Sequence, residues 1–376
     1  MATAGTSIKA PMGGPQPEGT PLAGYAVSVD VGGIEKELAA LWRTQSKEKS
    51  AALTRACAWN LVVYCSDDGA MTKAKLTADA LVHAVPTRTI LVLNHPYATS
   101  GPELEAWVSA NCHVGAGGGK LLCTEEIHIE SRAKGSELVP SLLRALVVPD
   151  VPTALWWAGP PPDNASAVRV LVSGVDRLIV DSMQAPGGSL SKLAHVGGLL
   201  DGLVLVDLNW LRTATLRSLL ASMFDPPVGA EALFKMRHMR LEVTEAGLPA
   251  AKLMLGWLIS RLKWTVSERL PSSSVAGASW RLRSRDDTGL GIDIAIVTGS
   301  PRASGLHSMH FDTDDGRRFG FTSREREVVD VVGARGTREL SAGEPPIEQL
   351  LVAALGARGR DRLYAVALHR AMELER

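Results

Sequence analysis

Continuous apolar runs alternate along this chain with segments whose apolar positions recur every three or four residues. Residues 58–65, 88–94, Thr153–Trp157, 177–181 and 203–207 are runs of the first kind. Such runs suit strands covered on both faces, as in a parallel sheet. Between them the spacing predicts helices over 75–84, 137–146, 164–172 and 190–199, and one long helix over 209–224 that ends at Asp225, Pro226 and Pro227. An earlier helix is expected over 34–55, where Ile34, Leu38, Leu41, Trp42 and Leu53 fall near helical spacing. Residues 105–113 and 120–130 read as two antiparallel strands joined by the glycine-rich stretch 115–119. Strands alternating with helices imply βαβ units, a mostly parallel sheet and helices on both of its faces.

The texture changes further on. A strand over 239–243 and a helix over 249–262 are followed, after Trp264, by short alternating strands at Ala278–Arg283, 291–298, 308–311 and 318–322. Turn clusters such as Asp314, Asp315 and Gly316 separate them, which describes an antiparallel meander. Two helices, 347–355 and 361–374, close the pattern. The expected fold class is therefore α/β, followed by a smaller α+β part with a meander and C-terminal helices. The expected divisions are a disordered tail over 1–22, an α/β domain over 23–230 and an α+β domain over 231–376.

Charge narrows the function. Lys plus Arg equals Asp plus Glu at 40 each, and no basic cluster of useful size interrupts the balance. Nucleic-acid binding draws most of its affinity from phosphate neutralisation, so nucleic acid is not an expected partner. The first 22 residues lack the apolar core of a secretory signal, and no apolar stretch reaches the length of a membrane span. A cytoplasmic protein is expected. Cys57, Cys65, Cys112 and Cys123 include no Cys-x-x-Cys pair. Cys112 and Cys123 flank the glycine-rich turn, where they could face each other across a hairpin. The plainer reading is four buried, reduced thiols.

A search for chemistry mostly fails. The stretch Gly115–Lys120 has Val114 where a phosphate loop needs glycine and Leu121 where it needs Ser or Thr. Lys120 also stands where a dinucleotide fingerprint needs its third glycine, so a flexible hairpin loop is the better reading. His307 and His310 lie on an expected strand, where that spacing does not converge on a metal. Residues 312–316 lack the ligand spacing of a calcium loop. Ser189 and Ser191 lack the flanking glycines of a nucleophile elbow. No catalytic residue, metal or cofactor is expected. Several notable residues do stand at the ends of expected parallel strands: Trp156 and Trp157, Asp181 and Ser182, and Asp207 and Asn209. Carboxyl ends of strands form the usual ligand crevice of an open α/β sheet. Alternatively, Asp181 and Asp207 simply cap the helices that follow, since Asp is a favoured N-cap.

These segments, in the order 59–64, 86–92, 123–127, 148–157, 175–182, 207–212, 219–225 and 256–264, resemble the OpcA family of glucose-6-phosphate dehydrogenase assembly proteins. The likeness is best over about residues 30–265. The chain departs from it at Leu216, where related sequences often carry Trp before the Arg that is kept here as Arg217. The resemblance implies a non-catalytic partner of glucose-6-phosphate dehydrogenase that promotes its active assembly and so supports NADPH supply. It leaves redox control through the cysteines open. Aromatic and Arg residues are the usual interface anchors. The candidate partner-binding residues are therefore Arg88, Trp156, Trp157, Trp210, Arg212 and Arg217, together with Asp181 and Asp207. Core packing is the plainer role of each Trp, and solvent exposure that of Arg212 and Arg217. The competing function is an α/β enzyme or sensor that binds a sugar phosphate or nucleotide at the strand ends.

Overall fold

The computed structural model describes residues 27–48, 53–114, 121–162, 165–199, 202–225, 227–271, 278–284, 289–297, 299–333 and 336–376. The expected tail over 1–22 and the loop over 115–120 lie outside the described residues.

The first part runs β1 (Val27–Val29), α1 (Ile34–Glu48), β2 (Leu53–Arg55), β3 (Trp59–Cys65), α2 (Asp68–Leu81), β4 (Thr87–His95), β5 (Leu104–Val114), β6 (Leu121–Arg132), α3 (Gly135–Leu146), β7 (Thr153–Trp157), α4 (Ala165–Leu171), β8 (Arg177–Val180), α5 (Ser191–Leu199) and β9 (Val204–Asp207). Its sheet has the order β1-β5-β6-β4-β3-β7-β8-β9, with β2 also on β6. From β6 to β9 every neighbouring pair is parallel, while β5 and β1 extend that edge antiparallel. Counted from β3, the parallel strands follow the order 3-2-1-4-5-6 of doubly wound dinucleotide-binding folds. Helices cover both faces. Ile34, Leu38, Val139, Leu143, Val168 and Leu193 pack on one, and Met71, Ala74 and Ala78 of α2 on the other.

The second part begins with α6 (Leu208–Arg212), α7 (Ala214–Phe224), α8 (Pro227–Lys235), β10 (Met236–Val243) and α9 (Leu248–Leu262). Then come β11 (Thr265–Leu270), β12 (Ala278–Arg283), β13 (Gly289–Ile296), β14 (Leu306–Thr313), β15 (Arg318–Ser323), β16 (Val328–Gly333) and β17 (Gly336–Ser341). The order is β11-β12-β13-β10-β14-β15-β16-β17, antiparallel except where β10 lies parallel to β13. One face buries Met239, Leu241, Met309, Phe311, Phe319 and Phe321 against Leu216, Leu220, Met254 and Leu258 of α7 and α9. The last helices, α10 (Ile347–Gly356) and α11 (Arg362–Glu373), return to the first sheet. Leu350 and Leu351 join the α2 side, and Tyr364 and Leu368 join the opposite core.

Several expectations are corrected. The first helix stops at Glu48, and Leu53–Arg55 is a strand beside β6. The long helix over 209–224 is two helices broken at Thr213, whose hydroxyl donates to the Asn209 and Trp210 carbonyls. That bond replaces part of the helical ladder and lets the chain turn. Cys112 and Cys123 form a disulfide, because the β5–β6 register sets them directly opposite each other. Cys57 and Cys65 are free.

Candidate functional site

The doubly wound order draws attention to the carboxyl ends of β3 and β7, where the crossover direction reverses and a ligand crevice opens. Here a row of bonded side chains lines it. Ser131 donates to the Asn94 carbonyl oxygen at 2.6 Å, and Asn94 Nδ2 donates to the Tyr64 hydroxyl at 2.6 Å. Tyr64 in turn stacks on Trp157, its register partner, with ring centroids 4.6 Å apart. Trp157 Nε1 donates to the Pro160 carbonyl at 2.9 Å. One polar and aromatic row thus crosses the ends of β6, β4, β3 and β7. The turn after β3 reads Cys65-Ser66-Asp67-Asp68-Gly69 and offers a single glycine. Asp67 accepts the Ala70 N–H at 2.7 Å and so caps α2 with a carboxylate, while Asp68 stands beside it, 81% exposed. A pyrophosphate binds at this point through free N–H groups and glycine backbone. Two carboxylates repel it, so these residues do not fit a dinucleotide.

The second cluster lies at the ends of β8 and β9. Asp181 accepts the Met183 N–H and pairs with Arg212 through both guanidinium nitrogens, at 3.1 and 2.8 Å. Asp207 accepts the N–H groups of Ser182 and Asn209, and Tyr364 of α11 donates its hydroxyl to the other Asp207 oxygen at 3.2 Å. Both aspartates thus cap the turns that follow them, as their type and position suggested. Burial, reinforced by the nearby Asp181 charge, pushes the Asp207 carboxyl up to about 6. Trp210 Nε1 donates to Asp361, the N-cap of α11, at 2.8 Å. The Arg217 guanidinium lies 3.3 Å from the Trp210 ring centre and donates to the Trp210 carbonyl and the Thr213 hydroxyl. Burial brings Arg217 down to about 10. The charge of Glu344, which pairs with Arg302 and bonds Ser304, reaches Arg212 from the segment after β17. The network therefore spans the junction between the two parts.

Five of the eight candidate residues, Asp181, Asp207, Trp210, Arg212 and Arg217, come together here. Arg212 is buried, not exposed. Trp156 and Trp157 sit apart at the end of β7 on opposite faces, the first in the α2-side core and the second half-buried against Tyr64. Arg88 lies at the amino end of β4, where it is buried and bonds Glu125, Glu35 and the Leu146 carbonyl. Tyr364, Asp361 and Glu344 escaped the sequence reading. Asp361 precedes a helix and had a cap signal, whereas a lone Tyr on an amphipathic helix carries none. Among the described residues no group of three His, Cys, Asp or Glu side chains is placed to hold a metal ion, and no helix is long and apolar enough to cross a membrane.

Two family models match the chain. Residues 78–196 match the glucose-6-phosphate dehydrogenase subunit N-terminal domain, and residues 204–368 match its C-terminal domain. An OpcA of Synechocystis sp., named for the OxPP cycle, is 29% identical over 191 residues, which is 50% of this chain and 39% of that protein. An OpcA of Nostoc punctiforme is 30% identical over 190 residues, 50% of this chain and 40% of that one. The matched stretch thus spans about two fifths of these relatives. Among solved structures, an NAD-binding oxidoreductase from Klebsiella pneumoniae aligns with a TM-score of 0.47 at 10% identity, covering 85% of this chain and 96% of its own. A levoglucosan dehydrogenase aligns with a TM-score of 0.45 at 11% identity, covering 86% and 96%. These likenesses are too distant to speak to ligand or activity.

Proposed function

From the premise that this chain belongs to the OpcA family of glucose-6-phosphate dehydrogenase assembly proteins, we propose that it binds a glucose-6-phosphate dehydrogenase in the cytoplasm and favours its active assembly, without catalysing a reaction itself. The match over residues 78–196 and 204–368 carries the reading. The lining of the crevice supports its non-catalytic half: the row from Ser131 to Trp157 is bonded to itself across the switch point, and Asp67 and Asp68 oppose a pyrophosphate. Activation on this view is a population shift. The protein binds the active dehydrogenase state more tightly than the inactive one, by about 1–3 kcal/mol for an effect of roughly 5- to 150-fold.

Of the eight candidate residues, Trp157 and Arg217 keep part of their surface in solvent, and we assign them to partner contact. Asp181, Asp207 and Arg212 hold the turns that lead to Arg217, while Tyr64 and the Pro160 carbonyl hold Trp157.

The test is steady-state kinetics of the cognate dehydrogenase with and without the purified chain, with size-exclusion chromatography of the mixture. A raised rate or lowered KM with co-elution is expected. Trp157→Ala and Arg217→Ala should each weaken the complex about tenfold, as loss of an aromatic or Arg anchor does, with circular dichroism unchanged. Absence of both complex and kinetic effect would overturn the reading.

A further inference from the structure

A cavity of about 530 Å³ opens where the two parts of the chain meet. Its walls come from the turn that leads into α5, the start of α9, strands β11, β12 and β13, and the end of α11. Leu248, Ala278, Ile294 and Leu374 supply an apolar wall, together with Trp280, whose Nε1 donates to the Leu374 carbonyl at 3.1 Å. Small-molecule sites measure about 300–1,000 Å³ and favour junctions of this kind.

The charged lining is lopsided. Lys252, Arg269 and Arg376 stand against one carboxylate, Glu375, so the side chains total +2. Counting a main-chain carboxylate at Arg376 as well leaves +1. Glu375 is engaged on both oxygens. Oε1 takes the Leu190 N–H and Lys252 Nζ, and Oε2 takes the Ser189 hydroxyl and the Ser191 N–H. Lys252 gives a second proton to the Gly188 carbonyl at 2.8 Å, which leaves its third for the cavity.

Arg269 owes its place to a β-bulge. Val266 and Arg269 are three positions apart and would face opposite ways on a regular strand. The register shift between Val266 and Glu268 turns both to the covered face, opposite the buried Leu282 and Trp280. Glu268 faces the other way and pairs with Arg281. Among the described residues Arg269 has no hydrogen bond or ion pair. An unpaired cation thus stands at the mouth of an apolar cavity.

We propose that this cavity binds a phosphate monoester with an apolar or heterocyclic body, the chemistry of a nucleoside monophosphate. The phosphate lies on Arg269 and the third Lys252 proton, and the body lies on Leu248, Trp280 and Ile294. A phosphate monoester carries about −1.5 to −2 at pH 7, which the lining matches, and its oxygens accept the paired N–H groups of a guanidinium. A lone carboxylate brings less charge. A sugar body would set hydroxyls against the apolar wall without partners. The site is separate from the lined crevice at β3 and β7 and owes nothing to the dehydrogenase.

The test is isothermal titration calorimetry of the full chain alone with adenosine monophosphate and, separately, with phenyl phosphate. Adenosine and inorganic phosphate, each offering one half of such a ligand, are the controls. One site per chain is expected for at least one monoester, with each control weaker by about tenfold or more. Arg269→Ala should weaken the monoester by about tenfold or more with circular dichroism unchanged, since Arg269 is exposed on an edge strand. Ala278→Phe keeps every charge but fills the cavity, and should abolish binding. No saturable binding by either monoester, controls that bind as tightly as the monoesters, or binding that survives Arg269→Ala overturns the site. An Ala278→Phe chain that still binds, with its urea transition intact, overturns it equally.

Discussion

Asp207 is a carboxylate sealed from solvent, and its surroundings only partly offset the loss of water. Two backbone N–H groups favour its charged form, but burial and the neighbouring Asp181 outweigh them and hold its pKa near 6. An unfolded Asp titrates near 3.9. The stability linked to this group is thus fully present below about pH 4 and is lost as pH rises toward 6, by up to about 3 kcal/mol. Asp207→Asn removes the titration, retains an oxygen for both N–H groups and offers Nδ2 to the Tyr364 oxygen. The variant should gain on wild type between pH 4 and 6 and be no less stable at pH 8, as denaturant titrations at several pH values will read. A variant that loses ground over that range would contradict this account. The capping half of the site was legible, because Asp at a strand end before a polar turn has few other roles. The ion pair was not: Arg212 sits on an amphipathic segment like any exposed Arg, and only the fold brings it to Asp181.

Elements with a continuous or an alternating apolar run were readable almost to the residue, as Thr153–Trp157 and Ala278–Arg283 respectively show. Those made by context were not. Pro226 and Pro227 read as a stop, yet Pro227 opens α8, where the first turn needs no N–H. The exposed β17 has no apolar alternation to reveal it. The parallel placement of β10 beside β13 is a matter of topology that no local pattern records. Close packing of elements hides similarly in small residues. Gly256 lies where α9 crosses α11, and a Cβ there would overlap the Ala367 carbonyl. Helix propensity favours Ala over Gly by about 1 kcal/mol, but forcing two backbones apart costs about 1–3 kcal/mol. Gly256→Ala should therefore destabilise on balance. An unchanged or raised midpoint in urea would show that the crossing can relax.

Across the whole molecule, α9 and α11 tie the two sheets into one body. Leu253 of α9 belongs to the first sheet's core, while Met254 and Leu255 belong to the second's. Glu375, just past α11, accepts the Leu190 and Ser191 N–H groups and pairs with Lys252 at 2.7 Å, and the Leu374 carbonyl accepts Trp280 Nε1 from β12. Calorimetry should accordingly find one cooperative transition, with matching calorimetric and van't Hoff enthalpies. Two resolved peaks would mean that the halves melt independently. The return of α10 and α11 also has a meaning on the ribosome. The strands of the first sheet are all synthesised by Asp207, yet the helices that finish its two cores end at Gly356 and Glu373. At roughly 5–20 residues per second, the unfinished sheet waits about 10–30 s with apolar surface uncovered. During that interval the nascent chain presents the kind of apolar surface that holding chaperones bind.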